Sequence, residues 1–333
     1  MQTFPNGRPG GRRHFLAGML SMAALGGAAS PTHAEEKPVA LMVGYPAGGA
    51  TDLLARALAE GMGRELQTSV LVENKPGAGG RIATEYVKNA RPDASTLLFS
   101  ISAPMVIYPH IYRKLGYDPL ADFAPVGAAA RQMLCLAVGP AVPESVRTLA
   151  DYVAWVKANP QSATFGTVSG TAPHFAGLLF ARAAGLHMEL TPYKGGAQAV
   201  VDLMGGHLPA TVTPVSEVQP YHAAGRIRIL ATMGPQRPAI LPDVPTMMEL
   251  GYPGISFQTW IGIFAPAGTP PAAVARVNAA LNNVLAQPKV VTAIGKLGMD
   301  PAITTPEQFR QIVKDDLELY RKSVAITGFQ AED

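Results

Sequence analysis

One cysteine in 333 residues, Cys135, excludes an intramolecular disulfide framework. It lies in the apolar stretch M-L-C-L-A-V, which reads as a buried structural thiol rather than a reactive one. Charged residues make up only 15% of the chain and nearly cancel, 27 basic against 24 acidic, so nothing argues for a nucleic-acid partner or an anionic membrane surface. Past the N-terminal segment there is no second long apolar run, so a membrane-spanning helix is not expected in the body of the protein. The histidines form no H-E-x-x-H and have no C-x-x-C beside them, which leaves a catalytic zinc site without support. No G-x-x-x-x-G-K-[ST] is present. The glycine run G-A-G-G-R-I has Ile82 where G-x-G-x-x-G needs its third glycine. Ser169 lies in G-T-V-S-G, which is not the G-x-S-x-G elbow of a serine hydrolase.

What the chain does have is a recurring turn. Residues 40–52 read A-L-M-V-G-Y-P-A-G-G-A-T-D and lead into L-L-A-R-A-L-A-E-G-M-G-R-E-L. That is an apolar strand, a Gly-rich turn and an amphipathic helix with Leu53, Leu54, Ala57, Leu58 and Met62 at helical spacing. Thr51 and Asp52 stand where helix caps are expected. Such a turn points backbone N–H groups and the positive end of a helix dipole at an anion, a phosphate or a carboxylate. Gly48 and Gly49 lack a Cβ and let a ligand oxygen approach the backbone. The plain alternative is a structural strand-to-helix turn that binds nothing. Asp52 reads as a cap before it reads as a general base, and His174 as a packed or hydrogen-bonded histidine before a catalytic one.

The N-terminus reads as an export signal. Residues 11–18 are G-R-R-H-F-L-A-G, a short apolar run follows over 15–29, and P-T-H-A-E-E ends it with small residues. Arg12–Arg13 followed by Phe15–Leu16 looks like a twin-arginine signal cleaved near Ala34; a Sec signal is the alternative. Loss of Arg8, Arg12 and Arg13 leaves 24 basic against 24 acidic residues. The mature protein is then neutral and, in a bacterium with two membranes, periplasmic.

The remaining chain alternates in the α/β manner. Strands are expected at 70–74, at 96–102 and from Cys135 to Val138, and a helix capped near Ser145 and stopped by Pro160. The segment A-T-F-G-T-V-S-G-T-A-P-H-F-A-G repeats the opening strand–turn–helix design, and L-T-P-Y-K-G-G is a further strand-to-turn unit. Two helices are expected to close the chain. A set of Gly/Ser/Thr turns at strand ends is the pattern of a polar ligand held by backbone and hydroxyl donors. About 300 mature residues favour two domains.

Six motifs in order, G-Y-P-A-G-G-A-T-D, V-E-N-K-P-G-A-G-G, S-A-P-M-V-I-Y-P-H-I-Y-R-K-L-G-Y-D-P with D-F-A-P-V, P-Y-K-G-G, L-P-D-V-P-T-M-M-E-L-G and W-I-G-I-F-A-P-A-G-T-P, resemble the substrate-binding proteins of tripartite tricarboxylate transporters, the Bug family. The resemblance implies an α/β, two-lobed periplasmic-binding-protein fold of the Venus-flytrap type II, with lobe one at 37–136 plus 257–333 and lobe two at 137–256. It implies a small organic carboxylate as ligand, membrane permease subunits as partners, a monomer, and neither cofactor nor metal nor catalysis. Carried over by position, the ligand meets Ala47, Gly48, Gly49, Ala50, Thr51 and Asp52, with Ser102 and Ala103 from the next loop. Lobe two contributes Thr167, Ser169, Gly170, Thr171, His174, Tyr193, Lys194 and Gly195. Lys194 is the one cation expected nearby, unless it is a solvated loop lysine. The chain departs from the family pattern at Leu208 to Pro214: Pro209 and Thr213 stand where acids are usual, and Tyr108 replaces a common Asn. Thr213 can hydrogen-bond a ligand hydroxyl but cannot pair with a cation. An exported α/β enzyme and a ligand sensor for a signalling receptor are the competing readings.

Export gives the first test. Changing Arg12 and Arg13 together to Lys retains the precursor in the cytoplasm if the twin-arginine route is used, as read by fractionation and precursor size. Normal processing of the double variant assigns export to Sec.

Overall fold

The computed structural model describes residues 37–330; the twin-arginine pair, the apolar run and the cleavage position at Ala34 lie outside the described residues. Strand alternation organises the first part. In β1 (Val39–Val43), Val39, Leu41 and Val43 enter one apolar core and Met42 enters another on the opposite face. α1 (Ala50–Leu66) lays Leu54, Ala55, Leu58, Met62 and Leu66 on the first of these cores. The buried stripe is rotated from the expected one: Leu53 is 45% exposed, and Ala55 and Ala59 take its place inside. The helix ends where Gln67 turns left-handed at φ 55°.

β2 (Val70–Asn74) and β3 (Thr96–Ile101) flank β1, all parallel, with α2 (Arg81–Lys88) between them in the chain. β3 stops one residue short of the expected Ser102, because Ser102 opens the short helix α3 (Ser102–Val106), followed by α4 (Tyr108–Ile111).

β4 (Phe123–Val138) is one 16-residue strand, where only its last residues were expected to be extended. Pro125 and Gly127 hide it from a pattern search, and the structure absorbs them in register shifts against its neighbour. The chain continues through α5 (Leu149–Ala158), β5 (Thr164–Val168), α6 (Ala172–Ala183), β6 (Glu189–Tyr193), α7 (Gly196–Met204), β7 (Ala210–Pro214), α8 (Val215–Ala223) and β8 (Arg228–Thr232). The cap of α5 is Thr148, not Ser145: Thr148 and Asp151 form a reciprocal capping box, which a Ser three residues earlier cannot. β9 (Gln258–Pro266), α9 (Pro271–Leu285), α10 (Pro288–Lys296), β10 (Asp300–Pro301) and α11 (Pro306–Thr327) complete the described chain.

The sheet order is β2-β1-β3-β9-β4-β7-β5-β6, with β8 and β10 also paired to β4. β4 serves two half-sheets. Phe123 to Met133 pair antiparallel with β9, and Leu134 to Val138 pair with β7 on one side and β8 on the other. α11 ties the halves together. Phe309 packs at 4.9 Å from Trp260 and 5.1 Å from Phe264, whereas Tyr320, further along, meets Phe175 of α6 at 6.0 Å. Phe309 and Tyr320 are fully buried, each worth about 1.5–3 kcal/mol of transfer free energy. Gly262 is required there, since a Cβ on it would stand 2.3 Å from the Phe309 ring. Cys135, on β4 beside β7, is buried in the core under α7 and α8, and burial pushes its thiol well above the usual range, so it stays neutral.

Candidate functional site

Because β1, β2 and β3 are parallel, the turns that follow them leave one edge of the first half-sheet; β5, β6 and β7 do the same in the second. The predicted site residues fall on these edges. Ala47 to Asp52 follow β1, and Ser102 and Ala103 follow β3; Ser169 to Thr171 follow β5, Lys194 and Gly195 follow β6, and Thr213 is next to last in β7.

The turn after β1 is built around Asp52. Its helix is capped by Gly49, without a side-chain bond, so neither Thr51 nor Asp52 is the cap residue. Asp52 instead sits in the first turn with its carboxylate buried behind the loop. Oδ2 accepts from the Gly48 N–H at 2.8 Å and from Arg56 Nε at 2.9 Å, and Oδ1 accepts from Asn74 Nδ2 at 2.9 Å. Asn74 also donates to the Tyr45 carbonyl at 3.1 Å and accepts from Arg56 at 3.0 Å. The Arg56 hydrogen bond, helped by the Gly48 and Asn74 donors, holds the Asp52 carboxyl down at about 2 against the desolvating effect of burial. A negative charge near the positive end of α1 is thus neutralised from behind. Among the described residues, the N–H groups of Ala50, Thr51 and Asp52 find no protein acceptor.

A second turn, after β2, closes on the first. A Cβ on Gly44 would lie 2.8 Å from Gly80 Cα, so the two backbones touch. Gly79 and Gly80 take φ of 65° and 96°, left-handed values that L side chains resist. The Gly79 carbonyl accepts from Tyr45 at 3.0 Å and from Tyr108 at 3.2 Å. Burial pushes the Tyr108 hydroxyl up to about 12, and Tyr45 is raised as well, so both remain neutral donors. Arg81 stacks its guanidinium 4.0 Å over the Tyr112 ring. Tyr45, Gly79 and Tyr108 were not among the expected site residues. The glycine run at 77–80 signalled the turn, but nothing local signalled the tyrosines that hold it.

The second edge uses fewer free groups. His174 is buried and accepts the Gly170 N–H on Nδ1 at 3.2 Å; burial drops its pKa to about 4, so the ring is neutral near pH 7. It packs edge-on against Phe329 at 4.7 Å. Thr171 caps α6 and donates to the Val168 carbonyl at 2.7 Å. Thr167 is buried in β5, and Ser169 and Lys194 are exposed. Tyr193 donates its hydroxyl to Asp202 of α7 at 2.8 Å and is raised to about 12 by burial and that carboxylate. Thr213 donates to Glu217, another residue the sequence did not single out. Gly170 lies near the first half: a Cβ on it would be 3.1 Å from Ile111 of α4.

Two surface hollows lie away from these edges. One, of about 460 Å³, is at the N-terminal ends of β1 and β3, and the other, of about 370 Å³, is beside the end of α6 and the last turn of α11. The first is lined partly by the start of α9, at Ala272 and Ala273, but both lie away from the C-terminal strand ends where the parallel-strand rule places ligands. Among the described residues no group of three or more His, Cys, Asp or Glu could hold a metal ion, and no helix is long and apolar enough to cross a membrane.

Residues 54–328 match the family model described as the tripartite tricarboxylate transporter family receptor. The chain belongs to that family. Protein BugT of Bordetella pertussis is 34% identical over 310 residues, covering 92% of this chain and 94% of BugT. The solved periplasmic binding protein BugD is 30% identical with a TM-score of 0.76, covering 89% of this chain and 99% of BugD. A Rhodopseudomonas palustris protein solved with adipate is 29% identical with a TM-score of 0.79, covering 89% of this chain and 98% of that one. MatC of the same organism, with bound malate, is 27% identical with a TM-score of 0.74, covering 87% and 99%. The fold is therefore the two-lobed one of periplasmic binding proteins, and the family is one of solute-binding receptors.

The Asp52 brace has a pH signature. Its folded pKa, about 2, lies below the ordinary 3.8, so its contribution to stability is complete above about pH 4 and disappears as pH falls through about 2. Asp52→Asn is expected to cost about 1–3 kcal/mol at pH 7, since the buried donors then face an amide, and to flatten the stability change between about pH 4 and 2. Urea unfolding across that range measures both; an unchanged slope contradicts the brace.

Proposed function

We propose that this protein captures a small organic carboxylate between its two lobes in the periplasm and delivers it to the membrane permease subunits of a tripartite tricarboxylate-type transporter. The observation that carries the reading is the set of unclaimed N–H groups at Ala50, Thr51 and Asp52, held in place by a carboxylate that is itself satisfied from behind. Neutral backbone donors stabilise a carboxylate through the helix end without the desolvation cost of a buried cation. Arg56 is committed to Asp52 and Asn74, and Arg81 to Tyr112, which favours the light charge of a carboxylate over a phosphate. The adipate and malate bound by related proteins support the same ligand class.

Lobe one is assigned to 37–136 plus 257–333 and lobe two to 137–256. β4 crosses between them near Met133 and the chain returns at β9, in keeping with the change of partners along β4. Lobe one grips through Ala47 to Asp52, Ser102 and Ala103; lobe two closes with Thr167, Ser169, Gly170, Thr171, Gly195 and Thr213. His174, through Nδ1, and Tyr193, through its hydroxyl, act by fixing their turns within lobe two. Lys194, exposed beside Gly195, is assigned as a cation near the ligand. No catalysis or cofactor is assigned: His174 gives its Nδ1 to Gly170, not to Ser169. The N-terminal 34 residues are assigned as a cleaved twin-arginine signal, and the mature protein acts as a monomer.

Gly49→Val tests the grip. Gly49 has φ −74°, which any residue adopts, and the nearest atom to an added Cβ is the Pro46 carbonyl at 3.3 Å, so the variant should fold. Its branches occupy the ligand's approach. Wild-type protein should bind the copurifying carboxylate by titration calorimetry and contract in small-angle scattering. Gly49→Val should lose about tenfold or more in affinity together with the contraction. Normal binding by the variant removes the turn from the site.

A further inference from the structure

β7 ends at Pro214 and α8 begins at once, which sets Glu217 one helical turn beyond Thr213. The Thr213 hydroxyl donates to Glu217 Oε2. That carboxylate also lies against the first residue of α7: a Cβ on Gly196 would stand 2.0 Å from Oε2 and 2.7 Å from Oε1. Gly196 is thus the residue that gives the carboxylate its place. Glu217 is half-buried, and burial raises its pKa above the usual carboxylate range. Among the described residues no Lys or Arg pairs with it, and no N–H of α7 donates to it. A carboxylate serving only to cap α7 would accept from those N–H groups. Glu217 therefore stands at the ligand edge of lobe two with Oε1 free of any protein donor among the described residues.

We propose that Glu217, held by Thr213, is a specificity-determining residue that reserves the lobe-two end of the ligand for a hydrogen-bond donor and disfavours a second carboxylate there. The inference rests on the carboxylate-capturing reading and names the ligand class: a monocarboxylate whose other end carries a hydroxyl, ammonium or amide group. A donor completes the open valence of Oε1. A second carboxylate meets a like charge in a partly desolvated place, or binds only after Glu217 takes up a proton.

The test compares ω-hydroxy monocarboxylates with the dicarboxylates of matched chain length, from malonate to adipate, by titration calorimetry. Wild-type protein should prefer the best hydroxy acid over its matched dicarboxylate by about tenfold or more. Glu217→Gln, which keeps an acceptor for Thr213, should erase or reverse that preference; Glu217→Ala does the same if the amide does not fold. Equal affinity in the wild type, a preference for dicarboxylates, or an unchanged ratio in the folded variants overturns the proposal. If neither series binds folded wild-type protein, the carboxylate reading itself falls and this inference falls with it, a pattern distinct from binding without selectivity.

Discussion

The Asp52 carboxylate fixes the turn after β1. A buried negative charge at the start of α1 would normally compete with any anion for the helix end. Here Gly48, Arg56 and Asn74 consume it, and the same three donors pin the loop after β1 to the end of β2. The consequence is a braced turn in which, among the described residues, the Ala50, Thr51 and Asp52 N–H groups have no partner.

The second determinant is topological. Parallel strands put their C-terminal turns on one edge, and each half-sheet has three such strands next to the long antiparallel pair β4 and β9. One strand is built into both halves, and one helix packs its two ends on different halves through Phe309 and Tyr320. That is the arrangement needed for closure about a bound molecule with little repacking within either half. Gly170 near Ile111, Ser216 near Gly298, and His174 and Phe175 against Phe329 are among the contacts that meet across the halves.

Much of this was legible in the sequence where the signal is local. The Gly-rich turn after β1, the strand at 70–74, the turn before α6 and the long α11 follow from glycine placement and apolar spacing over a few residues. What escaped depends on distant partners. β4 is interrupted by Pro125 and Gly127, and its pairing with distant strands, β9 along that stretch, holds it extended. Asp52 looks like a cap in sequence, but its role is set by Asn74 on another strand. Tyr45 and Tyr108 converge on the Gly79 carbonyl from either side, and nothing near either tyrosine in the chain points to that meeting. Glu217 carries no motif at all; Gly196 and Thr213 give it meaning. The departure from family pattern at Thr213 was visible, whereas the acid one turn further on was not.

The most direct measurement is the backbone amide spectrum of isotopically labelled protein during titration with its copurified carboxylate. A carboxylate seated on the end of α1 shifts the Ala50, Thr51 and Asp52 amide protons downfield as they gain an acceptor, while the Gly48 amide, already bonded to Asp52, moves little. Saturating ligand that leaves those three resonances in place, with shifts confined to residues 137–256, would contradict the site.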